Sequence, residues 1–221
     1  MSQQTLVVHM FDHSGVISSP PLDYHSNPEE FCAIIYGLAS HDVQRLGLDT
    51  SFFRKGRASW ELQTKELLGR TKRRKVKYTI LTTLYHIPYI IGRRTKCFAA
   101  INEGDGKRYV IKDCWVSVDK LEGKESEASL LTHARACGIS KGIPLIRHSE
   151  EVHVREAGRE RPDTVLNNRR LTSSDNLNLE RIHTRLVISP YGKPLDRFSN
   201  RKELLLAYYD ALQGEFLGCL C

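Results

Sequence analysis

The stretch Cys97–Trp115 constrains the fold more than any other part of the chain. Two runs rich in apolar and β-branched residues, CFAAI at 97–101 and RYVIKDCW at 108–115, flank the turn NEGDGK. Gly104 and Gly106 supply the backbone freedom that a tight hairpin turn needs. The second run carries a lysine near its centre. Side chains alternate along a strand, so Val110, Lys112 and Cys114 share one face and Tyr109 and Ile111 share the other. A lysine inside such a strand needs a partner, because an unpaired buried charge costs several kcal/mol. The helix expected over Leu121–Cys137, stopped by Gly138, offers Glu122, Glu125 and Glu127. Glu127, Leu131 and Ala134 fall at i, i+4 and i+7 on the apolar stripe, so Glu127 is the acid expected to face the strand. The plainer alternative is a lysine that snorkels to solvent at a sheet edge.

The rest of the chain reads as mixed α and β. Thr5–Met10 and Gly15–Ser18 flank the turn FDHSG and predict a hairpin. Pro28, Glu29 and Glu30 suit the first turn of a helix capped by Asn27 or Ser26, with Phe31, Ile34, Ile35 and Leu38 at helical spacing. Lys77–Ile91 predicts one or two strands. Ile143–Ile146 and Glu151–Val154 predict a short strand pair. Residues 155–182 are polar and aperiodic and predict a long mobile loop. Arg185–Ser189 predicts a strand, and a last helix is expected from about Asn200, with Asn200 and Glu203 as a capping box.

Composition excludes several classes. The 221 residues are 40% apolar and 27% charged, ordinary for a globular protein. No apolar run approaches the roughly 18 residues of a membrane-spanning helix, and the N-terminus has no secretory signal pattern. An intracellular protein, in cytoplasm or nucleus and without membrane partners, is expected. The six cysteines form no CxxC pair, so neither a disulfide framework nor a zinc or other metal site is expected. The net charge of +7 is concentrated between Arg54 and Lys77, where ten Lys/Arg meet two Asp/Glu; elsewhere the count is 23 against 24. That segment reads as a solvated loop ahead of a strand, since no aromatic residues are interleaved for base stacking among its basic residues from Lys65 to Lys77. A nucleic-acid patch is the alternative.

The order of elements adds a further reading. A glycine after an apolar run (Gly92) opens a hairpin whose second strand carries V-I-K. A helix with an inward glutamate follows, then two strands, then a strand leading into PYG. This resembles the N-terminal lobe of a protein kinase, where a strand lysine held by a helix glutamate meets the ATP phosphates. More specifically, the chain resembles the fungal-type protein kinase family in FDHSGVISSPPLDYHSNPEEF, LGLD, GRRT at 92–95, YVIKDCW at 109–115 and EASLLTHARACGI at 127–139. DTVLNNRR at 163–170, TRLVISPYGKPLDRF at 184–198 and KELLLAYYDAL carry it further.

The resemblance implies an α+β fold. It consists of a protein-kinase-like N-lobe (an antiparallel five-stranded sheet plus one helix), an N-terminal extension and the first helix of an incomplete C-lobe. The boundaries would be 1–88 for the extension, 89–196 for the lobe with a flexible insertion at 155–182, and 197–221 for the C-lobe stub. Lys112 would be the phosphate-binding lysine and Glu127 its partner. Gly92 and Thr95 would belong to the glycine loop. Ala99 and Val110 would line the adenine pocket, a role that spacing does not separate from core packing. Ile188 would be the gatekeeper, and Ser189, Pro190 and Tyr191 the hinge. ATP with Mg²⁺ and a protein Ser/Thr substrate would be the partners.

Two departures accompany the likeness. Arg94 stands where the family commonly has glycine in GRGT. No H-R-D, D-F-G or A-P-E occurs in the sequence, so the magnesium ligands and the catalytic Asp are absent from these residues and the chain reads as truncated before the catalytic loop. A lobe that binds nucleotide weakly without turnover is therefore expected, with marginal stability and a last-helix face (Leu204, Leu205, Tyr208, Leu212) that expects a second lobe. The alternatives are a non-catalytic, pseudokinase-like interaction module and a basic nucleic-acid binder acting through residues 54–77.

Overall fold

The computed structural model describes residues 4–44, 46–57, 59–68, 72–118, 126–156, 158–171 and 180–218. Its centre is one antiparallel sheet of seven strands. These are β5 (Phe52–Lys55), β6 (Ser59–Leu68), β7 (Lys72–His86), β8 (Lys96–Asn102), β9 (Arg108–Ser117), β10 (Leu145–Glu151) and β13 (Arg181–Ser189). Their order across the sheet is β10-β13-β9-β8-β7-β6-β5. Strands β5 to β9 form a meander, so each pairs with its neighbour in sequence. Strand β13 then inserts between β9 and β10, and β9 lies inside the sheet with partners on both sides.

The expectation of five strands undercounts the sheet. The basic segment is the reason: it does not form a loop. Trp60–Leu68 pairs residue by residue with Lys72–Ile80. Alternation explains the misreading. Leu62, Val76 and Tyr78 point into the core, while Lys75 and Lys77 alternate with them, face outward and give the stretch its charged look. Glu61 and Glu103 pair with Lys55, and Lys77 lies near Glu61, so acids from β6 and from the β8–β9 turn meet part of this positive charge. The strand expected at 77–91 runs instead from Lys72 to His86, and 87–91 belong to the loop before β8.

The sheet coils. Register shifts between Ile80 and Thr82 and between Thr83 and Tyr85 bend β7, and another between Ile146 and His148 bends β10. The coil brings β6 toward β10, where the Lys65 N–H donates to Glu150 at 2.9 Å. The concave side holds the core: Leu62, Val76, Tyr78, Phe98, Ala100, Tyr109, Ile111 and Val187. Tyr78 and Tyr109 meet edge to face.

Smaller units surround the sheet. Strands β2 (His9–Asp12) and β3 (Gly15–Ser18) form the first hairpin, while β1 (Thr5–Leu6) pairs with β4 (Leu22–Asp23). Helix α1 spans Pro28–Leu38 with Pro28 in its first turn; Asn27 caps it by backbone position and makes no side-chain cap bond. Helix α2 is shorter than expected, Glu127–Ala136, because Ser126 caps it by accepting from the Ser129 N–H; residues 119–125, including Glu122 and Glu125, lie outside the described residues. Gly138 follows its end at φ 87°, where glycine is unstrained.

The expected strand pair at 143–146 and 151–154 is not formed. β10 runs through 145–151 and pairs with β13, while β11 (His153–Glu156) pairs with β12 (Arg159–Pro162). Much of the expected mobile loop is therefore ordered. Helix α3 (Val165–Arg169), capped by Thr164, buries Val165 and Leu166; two buried apolar residues suffice to dock a polar segment that shows no period. Residues 172–179 lie outside the described residues.

Helix α4 (Arg201–Gly218) begins where expected. The Glu203 N–H donates to Asn200, while the Glu203 carboxylate takes the N–H of Ser199. Leu205, Tyr208 and Leu212 stay exposed on it. No helix among the described residues is long and apolar enough to cross a membrane.

Candidate functional site

Lys112 lies on the face of β9 opposite the core. Its ammonium donates to Glu127 Oε2 at 2.5 Å. Glu127 is the first residue of α2, and the Ser126 cap fixes where the helix begins. The pair is partly open: the side chains are 23% and 40% exposed. The strand lysine and the helix glutamate, 15 positions apart in sequence, thus meet on one side of the sheet.

Cross-strand register orders the neighbours of Lys112. Cys97 on β8 and Leu186 on β13 flank it directly. Two residues along, Val110 lies between Ala99 on β8 and Ile188 on β13. Directly opposed side chains on one sheet face lie about 5 Å apart, so Ala99, Val110 and Ile188 form an apolar row roughly 7 Å from the lysine row. Ala99 is buried, and Val110 and Ile188 are half-buried. Beyond Ile188 the chain leaves the sheet through Ser189, Pro190 and Tyr191. At the other end, beyond Cys97 and Lys96, lies the loop 87–95 with Gly92 and Thr95. Along this face the order is therefore loop, lysine row, apolar row, PYG connector. Burial pushes the Cys97 thiol up against the opposing pull of Lys112.

The loop is held tightly. Gly92 adopts φ 98°, and its N–H donates to the His13 carbonyl at 2.8 Å. The Thr95 carbonyl accepts from Ile87, closing the loop base, and the Arg93 carbonyl accepts from Trp115. Arg94 takes a left-handed φ of 40°, a conformation that glycine adopts without strain. That is the backbone reason a glycine suits this place.

A second charged cluster lies on the other face of β9. Asp113 sits beside His183 and Arg185 of β13. Arg185 is fully buried and reaches Asp49 at 2.7 Å, Ser51 at 3.0 Å and Glu150 at 3.4 Å. His183 lies between Asp113 and Asp163, each at 2.9 Å. Burial alone would lower the His183 pKa, but the two carboxylates outweigh it and push it up to about 9. Burial raises Asp113, and Arg185 and His183 overcome this and hold its carboxyl well below the usual range. Ligand atoms of Asp49, Asp113 and His183 lie within 4.8 Å of one another. The position a cation would take is filled by the Arg185 guanidinium. These residues escape a reading by motif, although Arg185, like Lys112, is a charge set against apolar strand residues.

A family model, fungal protein kinase, matches residues 1–216. The chain belongs to the fungal protein kinase family. No curated protein and no solved structure matches it. The match spans the N-terminal hairpin, the long basic strands and α4 as well as the lysine strand, so this kinase-family chain is related along nearly its whole length. Within this family member, the lysine row, the apolar row and the connector lie side by side. Gly92 and Thr95 lie at the loop end of the same face, and Cys97 and Leu186 complete the lysine row.

Proposed function

We propose that this chain is the ATP-binding lobe of a protein Ser/Thr phosphotransferase. One observation carries the reading: a lysine oriented by a helix carboxylate lies one row from an apolar strip, on the same face and with a chain connector beyond it. Lys112 would meet the anionic phosphates, with Glu127 holding the ammonium in place. Ala99, Val110 and Ile188 would pack on the planar base. Backbone groups of Ser189, Pro190 and Tyr191 would meet its polar edge, with the Pro190 carbonyl available as an acceptor only. Gly92 and Thr95 would bound the phosphate end. On this reading the lobe proper is 89–196, the preceding 88 residues are an extension that widens its sheet, and 197–221 begin a second lobe.

The residues of this face suit ATP, and the reading assigns them no magnesium ligand. Among the described residues, the cluster with metal-ligand spacing lies on the opposite face and is neutralised by Arg185. Without H-R-D and D-F-G segments, these 221 residues are expected to bind nucleotide and not to transfer its phosphoryl group.

The test is thermal shift and calorimetry with ATP, with and without Mg²⁺, comparing wild type with Lys112→Met. A rise in Tm for wild type that is lost in the variant is expected. An equal response of the two proteins, or none in either, would remove the assignment.

A further inference from the structure

Two segments, FDHSG and DTVLNNRR, take no part in the nucleotide face, yet the structure joins them. Asp12 ends β2 and makes a two-pronged ion pair with Arg169, the last residue of α3, at 2.6 and 2.8 Å. Both side chains are nearly buried, at 10% and 7% exposure. Burial raises the Asp12 pKa, but Arg169 and the Ser14 N–H outweigh it and leave it below the usual carboxylate range. The same Ser14 N–H bond, at 2.8 Å, sets the turn. Gly15 closes it at φ 135°, where a side chain would be strained.

The turn then reaches the loop between β7 and β8. His13 is buried, and its Nδ1 lies 2.7 Å from the Ile90 carbonyl. Its own carbonyl takes the Gly92 N–H. Its ring packs on Trp115 at 4.1 Å, and Trp115 stacks on His183 at 4.9 Å with planes 7° apart. His183 bonds to Asp163, just ahead of α3. A closed ring results: turn, Trp115, His183, Asp163, α3, Arg169 and back to Asp12.

We propose that the Asp12–Gly15 turn is a latch that positions the loop 87–95 over the phosphate end of the cleft, with His13 and Asp12 as its positioning residues. The reference to phosphate rests on the nucleotide reading above; the latch itself rests on the bonds just described. The Gly92 amide serves the latch and is not offered to an anion. Recognition of anionic oxygens at this end then falls to Lys112 and to the exposed guanidinium side chains of Arg93 and Arg94. The departure from a glycine-rich loop has a physical meaning on this account. The loop gives up backbone contact for a fixed position, and Arg94 holds within it the left-handed φ of 40° that a glycine would take without strain.

Amide hydrogen exchange on the full chain decides the latch. In His13→Ala, exchange over residues 90–93 is expected to rise at least tenfold while Phe98 and Ile111, in the sheet core, keep wild-type protection. Arg169→Ala should do the same, although Arg169 does not touch the loop. His13→Asn, which keeps a side-chain donor near Nδ1, should restore most of the protection. Exchange within threefold of wild type in both alanine variants would overturn the latch. So would an equal rise at Phe98 and Ile111, which would mean general unfolding. For a wild type that binds ATP, His13→Ala should weaken binding about tenfold, and unchanged affinity would overturn the positioning role. If wild type binds no ATP, the proposed function falls, and exchange alone still decides the latch.

Discussion

Lys112 and Asp113 are neighbours on one strand and face opposite ways. Among the described residues Lys112 pairs with the Glu127 carboxylate, and it remains partly open to solvent. Asp113 belongs to a cluster in which Arg185 is 1% exposed and meets three carboxylates. The comparison separates two uses of charge. A partly exposed pair adds little to stability because water already solvates both groups, so its position is available for a ligand. A buried cluster has lost that hydration, so each member needs the others, and removing one exposes the cost of the rest. The first is suited to chemistry and the second to architecture: Arg185 ties the segment before β5 (Asp49 and Ser51) to β9, β10 and β13.

The largest expected effect is that of Arg185→Met. It leaves Asp49, Asp113 and Glu150 facing one another without their cation, at a cost of about 3–5 kcal/mol. Against a total stability of about 5–15 kcal/mol, urea unfolding should show a much lower midpoint or no folded baseline. A midpoint shift no larger than that of Lys112→Met would break the contrast between the two faces.

Next comes pH. The folded pKa of His183, about 9, lies above its ordinary value of 6.5. Its contribution is therefore complete below about pH 6.5 and is lost as pH rises through about 9, to a total of about 3 kcal/mol. Asp113 has the opposite sign: its lowered pKa contributes above the ordinary carboxylate range and is lost in acid. Urea midpoints should therefore fall from pH 6.5 to 9.5, and His183→Gln should flatten that slope. An unchanged slope in the variant would assign the pH dependence elsewhere.

Ser126→Ala removes the cap that starts α2 at Glu127, for about 1 kcal/mol. Faster amide exchange at Ser129, whose N–H the serine accepts, should accompany it; wild-type exchange there would show that the cap does not hold the helix start. The smallest effect on stability belongs to Lys112→Met, at most about 1 kcal/mol. A substantially larger loss in urea unfolding would mean that the pair is structural like the cluster behind it.

The two faces also differ in how well they can be read from sequence. Lys112 and Glu127 are 15 positions apart and separated by one strand end and one helix start, so alternation and helical spacing suggest the pair, and the order of elements around it favours that pair over a lysine that snorkels to solvent. The row Ala99, Val110 and Ile188 takes the family likeness to propose and the register to demonstrate, because small and β-branched residues look alike in a pocket and in a core. Arg185 finds Asp49 across 136 positions and Asp113 across 72, and no local pattern encodes such pairings. The basic segment is misread for a related reason. Its outward residues dominate the composition, while a few alternating apolar positions, Leu62, Val76 and Tyr78, commit it to the sheet.

The sequence by itself determined the β8–β9 hairpin, the starts of α1 and α4, the glycine stop of α2 and the strand face that Lys112 shares with Val110. These follow from turn chemistry, capping and side-chain periodicity, which act over a few residues. Only the tertiary structure decided that seven strands share one sheet, that Arg185 is held by acids from β9, β10 and the segment before β5, and that the first turn of the chain grips the loop before β8. Those outcomes depend on contacts between segments far apart in the chain, and they become favourable only when the sheet coils and removes the groups together from water.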